Sequence, residues 1–150
     1  MQVTLEPLFE ADFKAILSGD RLERWAGDYP SPVHRKGAEF GLVAPLSEPP
    51  WCHYQISIGA SGLVVGDAGF HGPPTNEEVE IGYSVVPSAR GRGIATAAVT
   101  ALCKIALERV EVHQVTAMVK PSNLASQRVL ARCGFSVEQQ REGMLFYVLR

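Results

Sequence analysis

Polar and apolar residues alternate with a period of two from Glu78 to Val85. Val79, Ile81, Tyr83 and Val85 fall on one side, and Glu80, Gly82 and Ser84 on the other. That period predicts a strand. Pro87, which has no N–H to give a ladder, ends it. From Ile94 the period lengthens: Ile94, Ala98, Leu102 and Ile105 share one helical face, with Thr96, Thr100, Lys104 and Glu108 on a polar stripe. The same reading predicts a strand at Val3–Pro7, a helix at Glu10–Leu17 and a further helical turn at Leu22–Ala26. Asp28–Pro32 reads as a loop, Val33–Val43 as a helix and Pro45–Pro50 as a second proline-rich loop. Strands follow around Tyr54, Ile56 and Ile58 and at Leu63–Phe70, joined by a tight turn at Ala60-Ser61-Gly62. After the long helix come a strand at His113–Val119, a helix at Leu124–Arg132 and strands at Phe135–Gln139 and Met144–Leu149. A meander of antiparallel strands thus leads into a strand–helix–strand unit, which normally forms a parallel, right-handed pair.

Between the central strand and the long helix lies Arg90-Gly91-Arg92-Gly93-Ile94-Ala95. Two glycines permit a tight turn with exposed backbone N–H groups. A helix start leaves further N–H groups without partners and carries partial positive charge. Together these features make an anion site suited to phosphate. The turn is neither of two common nucleotide motifs. No lysine follows the glycines as a P-loop requires, and Thr96 stands where a dinucleotide fingerprint needs its third glycine.

The pattern Arg-x-x-Gly-x-Ala, preceded by Glu80-Ile81-Gly82-Tyr83 and followed by an amphipathic helix, resembles the coenzyme-A pyrophosphate loop of the GNAT superfamily of N-acetyltransferases. Asn123-Leu124-Ala125-Ser126, with Val129-Leu130-Ala131-Arg132-Cys133-Gly134-Phe135, resembles the Asn-x-x-Ser segment of the Rim-type branch, whose members acetylate N-termini of ribosomal proteins. The resemblance implies one α/β domain over residues 1–150: a GNAT (acyl-CoA N-acyltransferase) fold, its mixed sheet antiparallel then parallel and flanked by helices. It also implies acetyl-CoA as acetyl donor and a primary amine, a peptide N-terminus or a small amine, as acceptor. Direct attack in a ternary complex is then expected, since proximity replaces a covalent intermediate.

Site residues follow from the same likeness. Arg90, Gly91, Arg92, Gly93, Ile94, Ala95 and Thr96 would hold the pyrophosphate, with Asn123 beside them. Val85 and Val86 would offer backbone groups to the pantetheine arm where the central strand splays from its parallel neighbour. Glu80 would accept the amine's proton, its pKa raised by an apolar crevice; a solvated acidic strand start beside Glu77 and Glu78 is the alternative. Many relatives place a tyrosine seven residues after the asparagine, as acid for the thiolate. Leu130 stands there, so Ser126 would substitute, unless it only bonds backbone in the first helical turn. Ser122 or Asn123 fits the helix cap as well. Trp25 and Tyr29 would wall the acceptor site, or else fill core.

Composition narrows the function classes. The chain has 150 residues, 46% hydrophobic and 20% charged, with net charge −2 and no basic run. It is globular, and a nucleic-acid partner has no electrostatic support beyond the local basic turn at Arg90 and Arg92. No stretch approaches a membrane span. The first residues lack the basic and apolar regions of a signal peptide, so a cytoplasmic protein is expected. Cys52, Cys103 and Cys133 and the four histidines show no metal-ligand spacing. A non-catalytic acyl-CoA sensing module is the competing reading. It would share the phosphate turn and need neither Glu80 nor Ser126.

Overall fold

The computed structural model describes residues 2–43 and 47–150. The start of the loop read at Pro45–Pro50 lies outside the described residues. Among the described residues seven strands form one sheet in the order β1-β2-β3-β4-β5-β7-β6. They are β1 (Val3–Pro7), β2 (His53–Ile58), β3 (Leu63–Phe70), β4 (Glu78–Val85), β5 (Gln114–Val119), β6 (Ser136–Arg141) and β7 (Met144–Leu149). The helices are α1 (Glu10–Leu17), α2 (Pro32–Val43), α3 (Ile94–Leu107) and α4 (Leu124–Arg132). β1 to β4 pair antiparallel in sequence order, β4 and β5 pair parallel, and β5, β7 and β6 pair antiparallel again. This is the predicted antiparallel-then-parallel sheet. The last hairpin returns β7, rather than β6, to β5.

Leu22–Ala26 keeps one turn of the expected helical segment and goes no further. Trp25 N–H closes one turn on Leu22 C=O (3.1 Å), and Trp25 then bridges Val64 of β3. The start of β3, which extends beyond its pairing with β4, supplied better partners than a second helical turn.

The helix α3 buries Ile94, Ala98, Val99, Leu102, Cys103 and Ala106. It packs on β4 and reaches β1, β3 and β5. Leu102 and Val99 are fully covered. Truncating Leu102 to alanine costs about 2–5 kcal/mol, as for other buried leucines. That anchoring fixes the helix start relative to the end of β4. α1 and α2 pack against each other, and Phe13 closes on Gly41, where a Cβ would lie 2.8 Å from its ring.

One feature of the sheet opens the molecule. β4 and β5 pair only at Glu78↔Gln114, Val79↔Val115 and Glu80↔Thr116. Both strands continue, β4 to Val85 and β5 to Val119, without pairing to each other. The gap between them lies in front of the α3 N-terminus.

Candidate active site

Gly93 is the residue before α3, with φ 77°, and no side chain caps the helix. Gly91 also has positive φ, 75°. That region costs an L-residue about 1–2 kcal/mol; glycine enters it freely. The first helical bond runs from Ala97 N–H to Gly93 C=O (3.0 Å). The amides of Ile94, Ala95 and Thr96 therefore have no helical acceptor. They open on a cavity of about 660 Å³ lined by the turn, by Tyr83, Ser84 and Val85 of β4 and by α4.

Three arginines line this cavity: Arg90, Arg128 and Arg132. Arg90 Nε donates to Val85 C=O (3.3 Å), which holds its side chain on the turn. Arg128 and Arg132, one helical turn apart on α4, escaped the sequence reading. The spacing of Ala125, Arg128, Val129 and Arg132 on one helix face was the available signal. Arg92 is exposed and not among the lining residues.

Backbone alternation corrects the expectation for Val86. Its N–H donates to Val65 C=O of β3 (2.8 Å) and its side chain is fully buried. His71 N–H, from the other end of β3, donates to Glu80 C=O (2.9 Å). Residues 80, 82, 84 and 86 thus turn their backbone groups toward β3, and Tyr83 and Val85 turn theirs toward the gap. Val85 and Tyr83, rather than Val86, present backbone groups to the gap.

Asn123 caps α4, its Oδ1 accepting from Ser126 N–H (3.1 Å). Ser126 Oγ lies 2.5 Å from Tyr83 Oη, and the tyrosine hydroxyl also reaches Ser126 C=O (3.3 Å). Burial pushes the Tyr83 hydroxyl up to about 12, against the opposing effect of the Ser126 bond. At neutral pH it remains a donor. Leu130, at the position where relatives carry a tyrosine, is fully buried. Tyr83 was overlooked because its place in the alternation put it among core residues.

Glu80 is half-buried and pairs with His71 Nδ1 at 3.0 Å. The His71 bond holds its carboxyl below the usual range, outweighing burial. The expected upward shift is corrected: a donor, not an apolar crevice, surrounds this carboxylate. Glu80 lines neither this cavity nor the one on the α1–α2 side, whereas His71 lines the latter. Trp25 and Tyr29 are corrected too. Both are buried, Tyr29 completely, and they stack edge to face at 5.4 Å. They are core, and the Tyr29 hydroxyl donates to Asp67 Oδ1 (2.8 Å).

The splayed strands, the uncapped glycine turn and the arginine-lined gap coincide with a match over residues 2–136 to the family described as Acetyltransferase (GNAT) domain. The chain belongs to the GNAT family. An uncharacterized N-acetyltransferase, YjdG of Bacillus subtilis (strain 168), is 38% identical over 73 residues, 48% of this chain and 44% of that protein. A probable N-acetyltransferase of the same organism, YjcK, is 40% identical over 58 residues, 39% of this chain and 32% of that protein. The matched stretches thus span less than half the length of these curated relatives. Among solved structures, a GNAT-family acetyltransferase described from Bordetella pertussis superposes with a TM-score of 0.68 at 26% identity over 100% of both chains. An aminoglycoside acetyltransferase in complex with coenzyme A and kanamycin gives 0.72 at 20% identity, covering 99% of this chain and 94% of that one. RimL, a ribosomal alpha-N-protein acetyltransferase in complex with coenzyme A, gives 0.69 at 20% identity, covering 98% and 93%. At that identity the last two likenesses concern the GNAT fold alone. Within it, no helix among the described residues is long and apolar enough to cross a membrane.

Proposed function

We propose that this GNAT domain is an N-acetyltransferase that moves an acetyl group from acetyl-CoA to a primary amine. The observation that carries the reading is the gap between β4 and β5, which ends on the uncapped start of α3 and is ringed by three arginines. Free amides and guanidinium groups suit a diphosphate. Backbone at Tyr83 and Val85 that faces the gap without a β5 partner suits an extended amide-bearing arm. When bound, acetyl-CoA supplies an activated acyl carbon on a thiol leaving group.

The chain's own groups would then divide the work. The amides at Ile94, Ala95 and Thr96, with Arg90, Arg128 and Arg132, hold the phosphates. Gly91 and Gly93 let the backbone come close, and Asn123 keeps α4 in place. The backbone at Tyr83 and Val85 aligns the arm and faces the acyl oxygen, an oxyanion-type role. Ser126 and Tyr83, bonded to each other, meet the departing sulfur with hydroxyl donors. Glu80 positions His71 rather than touching the amine. The Asn-x-x-Ser segment fits the Rim-type branch, which favours a peptide N-terminus or small amine as acceptor. Retention of Ser126 beside Tyr83 favours an enzyme over an acyl-CoA sensor, because binding alone needs no donor at the sulfur.

Calorimetry with CoA and an amine screen read by free-thiol release test the reading. CoA binding with thiol release that depends on amine is expected. CoA binding without release from any amine would leave a sensor, and no CoA binding would remove the assignment.

A further inference from the structure

A second cavity, of about 210 Å³, lies on the α1–α2 side of the sheet. It shares Tyr83 and Ser84 with the first, so the two meet across β4 at that point. Leu8, Phe13, Val33 and Ala38 make apolar walls. Gly69 and Gly82 keep the floor low: a Cβ at Gly82 would lie 2.7 Å from His71 Nε2, and one at Gly69 2.6 Å from His53 Cα. The carboxylate on its wall is Asp67, and no lysine or arginine lines it among the described residues.

Register explains why Asp67 stands there. Glu6, Gln55, Asp67 and Ser84 are successive partners across β1, β2, β3 and β4, and so share one face of the sheet. Partners of this kind stand about 4.5–5.5 Å apart at Cα. Asp67 is therefore beside Ser84, where the cavities meet. Glu80 lies four residues earlier on β4, about 13 Å along the strand. Gly66 lets the strands close here, since a Cβ on it would fall 2.2 Å from Ser84 C=O.

The surroundings hold the Asp67 carboxyl without neutralising it. Tyr29 donates to Oδ1, and Gln55 Nε2 donates to the Tyr29 oxygen (3.0 Å). Arg24 bonds Gln55 Oε1 (3.2 Å) and pairs with Glu6 (3.4 Å) at the far end of the row. From α2, His34 takes the Ser31 N–H on Nδ1 (3.0 Å), so its Nε2–H donates to Ser84 C=O (3.2 Å). Burial lowers the His34 pKa and keeps that ring neutral. From β2, His53 is lowered by burial first and by His71 second. From α1, the nearest charge, Asp12, is negative and acts on Tyr29. Asp67 Oδ2 has no donor among the described residues, and the side chain keeps some solvent access through the cavity. Elsewhere protein surrounds it, and this burial pushes its carboxyl up to about 7, against the lowering effect of the Tyr29 bond.

We propose that Asp67 receives the acceptor's ammonium group and accepts its proton, and that this acceptor is a primary ammonium carried on a compact apolar group. The proposal rests on the acetyl-transfer reading for its chemistry. The ammonium gives one proton to Asp67, which passes it to solvent. The nitrogen lone pair forms the C–N bond, the C–S pair leaves on sulfur, and the second nitrogen proton goes to that sulfur. The products are an amide and a free thiol, with one proton released.

Phenethylamine is the probe. In wild type, kcat/KM for the amine should rise through an acid limb near pH 7. Asp67→Asn should remove that limb and cut kcat/KM by about 10²–10⁴-fold, the usual worth of a general base, with the KM for acetyl-CoA unchanged. Tyr29→Phe, which keeps the carboxyl and removes its donor, should move the limb upward; an unmoved limb overturns the assignment even if Asp67→Asn fails to fold. Loss of the limb in His71→Asn with its retention in Asp67→Asn overturns it in favour of the His71–Glu80 pair. Calorimetry of phenethylamine on the CoA-loaded protein reads recognition without turnover. At least tenfold weaker binding by Asp67→Asn supports the site, and equal binding, or none by wild type at millimolar amine, overturns it. Tenfold weaker binding with no thiol release by wild type from any amine would sink the acetyl-transfer reading and leave the ammonium site standing.

Discussion

Removing the hydroxyls of Tyr83 and Ser126, singly and together, probes the leaving-group side of the site. The two oxygens lie 2.5 Å apart on elements that touch nowhere else through hydrogen bonds among the described residues: β4 and the first turn of α4. If they form one donor unit, Tyr83→Phe and Ser126→Ala each break it. A hydrogen bond to a developing thiolate is charge-assisted and worth about 1.5–3 kcal/mol. At about 1.4 kcal/mol per decade that is roughly a 10- to 150-fold loss in kcat. The double variant should then be little worse than either single, because the second change removes nothing further. KM for acetyl-CoA should move far less than kcat, since the interaction strengthens only as charge reaches sulfur. The assay is thiol release under single-turnover conditions, with melting curves to show that each variant folds. Independent contributions would instead multiply. If all three variants kept kcat within about threefold of wild type, the pair would be a structural tie between α4 and β4 and nothing more.

Other expectations follow from the same geometry. Gly93→Glu should abolish measurable CoA binding by calorimetry while leaving a cooperative melt: a Cβ there meets nothing within 4 Å, and positive φ costs only about 1–2 kcal/mol. Arg128→Ala with Arg132→Ala should weaken CoA binding at least tenfold and flatten its salt dependence; unchanged affinity would take α4 out of the phosphate site. Stability should carry the mark of Asp67. Its folded pKa, about 7, lies above the unfolded value near 3.9, so the folded protein binds the extra proton between them. That contribution is complete below about pH 4 and is lost as pH rises through about 7, amounting to roughly 2–4 kcal/mol. Denaturant titrations of Asp67→Asn should lack this decline and show a protein more stable than wild type at pH 8. A difference curve flat with pH would contradict the burial argument.

What the sequence could determine was whatever local periodicity and turn chemistry control. β4 and α3 appear where the period of two gives way to a helical one, and Gly91 and Gly93 mark a turn that only glycine enters cheaply. The expectation that this turn suits a phosphate rests on its own residues, because unpaired amides at a helix start are a local property. A cap at Ser122 or Asn123 was legible for the same reason, and the structure uses Asn123. Properties that depend on neighbours remote in the chain were hidden. Glu80 reads as an acid on a strand, and its acidity is decided by His71, which only the β3–β4 register brings within 3.0 Å. Tyr83 reads as core until the gap between β4 and β5 lets Ser126, 43 residues later, meet its hydroxyl. Asp67 sits in a strand of buried residues and gives no local signal. Four strands in register, a tyrosine 38 residues away and two glycines that leave room above the sheet make it a half-enclosed carboxyl facing a cavity. Desolvation and pairing act through space, so the tertiary structure alone decides which acidic side chain is poised to take a proton.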